Sequence, residues 1–290
     1  MTDTANAATD LDPPPKVALP IRGLRQSVRE LAHNRDILGA MVRREFATKY
    51  KTSFLGMLWS LLNPLFLVAI FTVVFGVVFP GMRSDSGISV PMPVFLFAGI
   101  SLWNLFGMAV GNNVESVTGN GYLLLKVYFP REILPLSTVL SGLITYFFEF
   151  LVLVVALMVV GVYPYWTWLL APVLVLVLAA MAFGLSLFVA AANVHFRDMQ
   201  HFVALLLQAL FWYTPIIYAF KIVADRGSIY ETLWLVNPVA PIVVGFQSVM
   251  LDNTWPSLGW TLYSAGATAL IVLLGYIFFN RQEPKFGELV

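Results

Sequence analysis

The sequence predicts an all-α integral membrane protein, on three observations. Only 11% of its 290 residues are charged and 59% are hydrophobic, against roughly 25% charged in a soluble domain whose surface must be wetted. The apolar residues gather in uncharged runs long enough to cross a bilayer core about 30 Å thick as helices. The basic residues are unevenly placed, with nine of the 17 Lys and Arg in the first 51 positions. A surface this poor in charge has lipid as its solvent, which excludes a soluble enzyme and a disordered chain.

In chain order, residues 1–20 carry Asp3, Asp10, Asp12 and the run Pro13-Pro14-Pro15 with no apolar core. They read as a disordered polar leader and not as a signal peptide; leader and approach to the membrane together occupy 1–33. Over 34–51, Ile37, Leu38, Met41, Val42 and Phe46 recur at helical spacing while Arg35, Arg43, Arg44, Lys49 and Lys51 take other positions. That pattern predicts an amphipathic helix in the membrane interface, basic face toward anionic headgroups, or a helix packed on a partner protein.

Residues 52–290 form the membrane domain. Six spans are expected near 58–79, 94–110, 133–160, 168–192, 202–220 and 260–279, from uncharged length at 1.5 Å of rise per residue. A further apolar stretch, 233–251, contains Asn237-Pro238 and Pro241. Two prolines this close remove helix donors and clash with the preceding turn, so a re-entrant hairpin is expected before the last span. Six spans leave both termini on one side. That side holds 14 of the 17 basic residues, leaving Arg83, Lys221 and Arg226 on the other, so by the positive-inside rule both termini are cytoplasmic.

Chemistry is sparse. Glu149 is the single ionisable residue inside the expected spans; a carboxyl in lipid marks a substrate path or proton relay, or a protonated group that glues helices. His195 and His201, six positions apart, fall on different helix faces and make poor joint metal ligands. Cysteine is absent, which removes disulfides, thiolate metal sites and a thiol nucleophile. No acidic cluster suits a metal and sugar diphosphate, and no Gly-x-x-x-x-Gly-Lys-[Ser/Thr] loop cradles a nucleotide, so ATP, if used, must be bound by another polypeptide. No basic soluble module suggests nucleic acid.

Three short stretches remain at the cytoplasmic ends of the expected spans. Lys49 to Trp59 joins the interface helix to the first span, which Asn63-Pro64 loosens one turn in. The second is Leu125-Lys126-Val127-Tyr128-Phe129-Pro130-Arg131-Glu132-Ile133-Leu134-Pro135, where Pro130 suits a first helical turn and Glu132 the positive helix N-terminus. The third is Asn193-Val194-His195-Phe196-Arg197-Asp198, followed by Tyr213-Thr214-Pro215-Ile216-Ile217-Tyr218.

In this order and at these separations, the stretches resemble the permease subunits of ABC-2 type exporters, most of all the branch that exports lipid-linked polysaccharides such as O-antigen, capsule, teichoic acid and galactan. The resemblance runs from about residue 34 to the C-terminus; the leader has no counterpart. It implies two permease copies forming a pore in the bacterial cytoplasmic membrane, each docked on an ABC ATPase subunit that holds ATP and Mg²⁺, with no cofactor in this chain. It also implies a coupling helix near 120–134, with Lys126, Phe129, Pro130, Arg131 and Glu132, joined by Arg197 and Asp198, as the ATPase-coupling residues. Phe129 would anchor in an apolar cleft of the ATPase and Arg131 would pair with an acid there. Aromatics make up 14% of the chain, and sugar rings have apolar C–H faces that can slide along such rings. Trp59, Phe66, Trp103, Tyr146, Trp212 and Tyr213, with Glu149, are the candidate channel residues. Two other readings stay open: an ABC-2 permease for drugs or lipids, and an integral-membrane enzyme using the scattered acids Asp85, Asp225, Glu231 and Asp252.

Overall fold

In the computed structural model, residues 24–48, 58–74, 89–127 and 129–286 are described. The leader up to residue 23, the Lys49–Met57 junction, the end of the first expected span and Tyr128 lie outside the described residues. Every element within them is helical: α1 Leu24–His33, α2 Arg35–Thr48, α3 Trp59–Val73, α4 Met92–Asn113, α5 Gly121–Lys126, α6 Ile133–Val159, α7 Ala171–His195, α8 Met199–Tyr213, α9 Lys221–Ala224, α10 Ser228–Leu235, α11 Val239–Leu251 and α12 Leu258–Gln282. Four segments are long and apolar enough to cross a membrane: 92–113, 133–159, 166–195 and 258–285. α3 and α8 are apolar but shorter.

Local sequence sets the ends of these helices. Pro93 near the start of α4 and Pro172 near the start of α7 stand where a helix has no amide to lose. α6 stops where Gly161 takes φ +88°, a backbone state that suits glycine, and the amides of Gly161 and Val162 turn back to the carbonyls of Met158 and Leu157. The span expected over 202–220 is helix only as far as Tyr213. The reason is Pro215, which forces the residue before it out of the helical region; Thr214 is extended, with φ −89° and ψ 135°. At the other end of the chain, 24–33 belongs to the folded structure as α1, N-terminal to the amphipathic helix expected at 34–51.

α4 and α7 form the centre, most of each being buried, whereas α6 and α12 turn most of their surface outward. The most extensive pairing is α7 with α12. Lipid tails are as apolar as leucine, so helices in lipid associate by close packing and gain from small residues at the crossing. Gly184 and Gly275 meet there: a Cβ on Gly275 would stand 2.1 Å from the Gly184 carbonyl oxygen, and one on Gly184 would stand 2.7 Å from the Val272 backbone. A buried polar bridge ties α4 to α6 and α7, Asn113 donating to Ser186 Oγ at 3.0 Å and to the Pro135 carbonyl at 3.2 Å, and Ser186 donating to the Ala109 carbonyl at 3.3 Å.

Side-chain contacts fix which ends lie together. Ser27 of α1, Glu132 before α6 and Tyr276 of α12 meet at one end of the bundle. Thr167 reaches Val249, Trp168 reaches Asn253 and Ser89 reaches Asp252 at the other. The apolar stretch expected to be broken is two helices, α10 and α11, meeting at 104°. Asn237 and Pro238 form the corner, with the Asn237 side chain accepting from the Val239 amide at 3.1 Å.

Gly275→Leu should force α7 and α12 apart, costing more than the about 1–3 kcal/mol of ordinary overpacking because the obstacle is backbone. Thermal unfolding in detergent should show a lowered midpoint or no folded protein. Gly266→Leu on the same helix, whose Cβ would meet nothing within 4 Å, should leave the midpoint unchanged.

Candidate functional site

The expected coupling region is a six-residue helix, α5, then an irregular link and a turn in which the Ile133 amide returns to the Pro130 carbonyl at 3.1 Å and the Leu134 amide to the Arg131 carbonyl at 3.2 Å. Pro130 and Glu132 thus stand in the turn that leads into α6. Phe129, Ile133 and Leu134 are buried together, and Leu31, Ile37, Leu38, Met41, Leu123 and Leu124 pack on them. The apolar stripe of α1 and α2 therefore lies on the start of α6. Phe129, only 6% exposed, already fills a cleft in its own chain, so its ring is not free to anchor in a partner; its part is to hold the link against α2.

The polar groups repeat this inward pattern. Glu132 is 1% exposed and accepts the Ser27 hydroxyl at 3.4 Å, while the Ser27 and Tyr276 hydroxyl oxygens lie 2.5 Å apart. Arg131 donates from Nη1 to the Glu283 carbonyl at 2.5 Å, its Nε lies 3.9 Å from Glu283 Oε1, and its guanidinium stands 5.7 Å from the Phe286 ring centre. Phe286 is in turn buried against Phe279. Arg44 Nη2 donates to Asn120 Oδ1 at 2.6 Å. The turn before α6 is thereby joined to α1 and to the end of α12, and Arg131 has its acidic partner within the chain.

The coupling residues consequently divide. Lys126, beside the Tyr122 ring, and Arg197 and Asp198, in the turn between α7 and α8, are exposed. So are Tyr122, which lies outside the quoted stretches, and Val127 and Phe196, which lie within them but are not among the expected coupling residues. Asn193 donates to Thr118 Oγ1 at 3.4 Å, which places both loops at the same end of the bundle.

The structure does not gather the channel candidates at one place. Trp59 and Phe66 on α3 and Trp212 on α8 are exposed. Trp103 packs edge-on to Phe211 with ring centres 5.6 Å apart and borders a groove of about 460 Å³ between α4 and α8. Tyr146 is buried and borders a different, apolar groove between α6 and α7. Glu149, half-buried, follows it three positions on along α6. Tyr213 donates its hydroxyl to the Leu233 carbonyl and packs at a tilt against Trp234, supporting the bent α10–α11 pair. Sequence reasoning missed Asn104, Asn112, Gln200 and Gln208, which line the α4–α8 groove; their signal is a pair of amides eight residues apart on each of two apolar helices. His195 and His201 are both exposed, and among the described residues no group of His, Asp or Glu could hold a metal ion.

Several apolar spans around a central pair, with polar loops gathered at one end, define a multi-pass membrane protein. Residues 37–251 match the ABC-2 type transporter family, and the chain belongs to that family. It is 31% identical over 264 residues to the O-antigen export system permease protein RfbA of Myxococcus xanthus, covering 91% of this chain and 98% of that one. A Klebsiella pneumoniae protein of the same name is 29% identical over 263 residues, covering 88% and 95%. The chain is thus a transmembrane permease of the ABC-2 type, a transport subunit and not an enzyme.

Phe129→Ala should leave a void between α2 and α6 and cost about 3 kcal/mol, as truncation of a buried phenylalanine does. Limited proteolysis should then cut between residues 33 and 48 faster than in the parent, whereas Tyr122→Ala, at an exposed ring, should leave the cleavage rate unchanged.

Proposed function

We propose that this chain is the membrane half of an ATP-driven exporter that moves a lipid-linked polysaccharide of the O-antigen, teichoic acid or galactan type across the bacterial cytoplasmic membrane. Two copies form the conduit, and each docks on one ATPase subunit that binds ATP and Mg²⁺. The observation that carries the reading is the end of the bundle where α5, the turn before α6, α1, α2 and the end of α12 are tied together. The relatives named for O-antigen export supply the substrate class.

Force from a soluble ATPase can enter helices in lipid only through rigid elements that touch both. Lys126, Arg197 and Asp198 on the outward loops receive it. Phe129, Arg131 and Glu132 pass it on, because Phe129 clamps the link to α2 while Arg131 and Glu132 connect the start of α6 to Glu283 and, through Ser27, to Tyr276. A push on the loops then tilts α6 and α12 together. The exposed apolar faces of α3 and α8, including Leu65, Phe66, Leu205 and Leu206, suit the second copy and lipid.

The chain crosses the membrane six times in this reading. α8 at 15 residues spans only about 22 Å at 1.5 Å per residue, and the turns over 214–220 complete the crossing. α10 and α11 form a re-entrant hairpin, a reading supported by one cavity that Lys221, before the pair, shares with Asp252, after it, and with Ser89, just before α4. The end that carries α1 and the end of α12 is cytoplasmic, in keeping with the 14 to 3 division of basic residues.

The test is reconstitution. Proteoliposomes holding permease and cognate ATPase should translocate a polyprenyl-linked glycan only when ATP is present, and permease alone should neither hydrolyse ATP nor move glycan. ATP-independent translocation by the permease alone would contradict the assignment, and a response to free lipids or drugs but not to glycan would favour the other exporter classes.

A further inference from the structure

The α4–α8 groove carries an inference that deepens, and rests on, the export reading. Asn104 and Asn112 lie on α4 and Gln200 and Gln208 on α8, each pair eight residues apart, or about 12 Å at the helical rise. Trp103 and Phe211 close one end. Between the asparagines the wall is formed by Gly107 and Gly111, which have no side chains, and by Met108. Among the described residues, none of the four carboxamides is hydrogen-bonded to another part of the chain. Lipid tails cannot satisfy an amide, and an amide in an apolar medium without a partner is costly. Asn104 and Gln208 stand well within their helices, whereas Asn112 and Gln200 stand at the loop ends of α4 and α8, and the inner pair therefore calls for water or a hydrogen-bonding ligand.

We propose that this groove is a hydrogen-bonding track for an uncharged, hydroxyl-rich glycan, and that it favours neutral over anionic polymers. Each carboxamide offers both donors and an acceptor, which matches sugar hydroxyls in either role. The two rings match the apolar C–H faces of a pyranose. No charged side chain lines the groove, so a phosphate or carboxylate entering it would lose hydration and gain no cationic partner. A series of amides with no fixed charge holds each sugar weakly, which suits a polymer that has to keep moving. The competing occupant is a second copy of this chain, because Phe202, Leu205 and Trp212 on the same helix are exposed.

The absence of cysteine makes the test clean. In the reconstituted permease–ATPase complex, Asn104→Cys and Gln208→Cys should each react with a water-soluble maleimide. A neutral polyprenyl-linked glycan should protect them, and a polyprenyl-linked glycerol-phosphate polymer should not. The double variant Asn104→Leu with Gln208→Leu should export neutral glycan about tenfold more slowly at equal membrane levels, the loss expected from two modest hydrogen bonds, while Gln208→Asn should retain most export. Cysteines that resist the maleimide but cross-link between copies would show the groove covered by a second chain and overturn the proposal, as would equal protection by both polymers or full export by the double variant. Export by the parent complex alongside full export by the double variant removes the track and leaves the exporter assignment standing. A parent complex that moves no glycan removes both.

Discussion

A hydrocarbon interior offers no water to an unpaired peptide group, so a helix may break at depth only where protein supplies the missing partners. At the corner between α10 and α11 the exposed carbonyls are met by hydroxyls from neighbouring helices. Tyr213 of α8 donates to Leu233, Tyr263 of α12 donates to Val236 at 2.6 Å, and Ser264 donates to Pro238 at 2.9 Å. Asn237 turns its amide to Thr214 at 2.9 Å. These contacts bind the bent pair to α8 on one side and α12 on the other, and α11 is left to pack its apolar face on α7 and α4.

The same logic governs the opposite end with different chemistry. Outside the hydrocarbon layer, charged groups can be used, and the turn before α6 is held by a partly buried ion pair and a buried carboxylate. Glu132 and Arg131 are adjacent in sequence yet point to different partners, one to α1 and α12 through hydroxyls, the other to the end of α12. A loop fixed at so many points moves as one body with the helices it joins, which is the property that a force-transmitting element requires. α7 and α12, locked by Gly184 and Gly275, extend that rigidity from this end into the membrane domain.

Much of this was legible in the sequence. Uncharged length located α4, α6, α7 and α12 to within a few residues, because in lipid the absence of charge is itself the structural signal. Asn237-Pro238 marked the bend, since proline takes a donor from the helix wherever it sits. The same rule, applied to Thr214-Pro215, would have shortened the helix expected over 202–220. What remained hidden was pairing. Nothing local to Phe129 says that its ring lies against α2, and Arg131 and Glu283 stand 152 positions apart. Of the channel candidates, chosen as aromatics, Trp103 alone borders the amide groove. The amides were overlooked because a polar residue on an apolar helix becomes informative only when the facing helix is known.

The central claim is that the α10–α11 segment enters the membrane and returns, and labelling of its flanks tests this most directly. Asp225→Cys precedes the pair and Ser257→Cys follows it, both at exposed positions of a chain without cysteine. In intact cells, an impermeant thiol reagent should reach both single-cysteine variants from the outside. Labelling of one from the outside and of the other only after the cells are opened would show that the segment crosses, and would contradict the account.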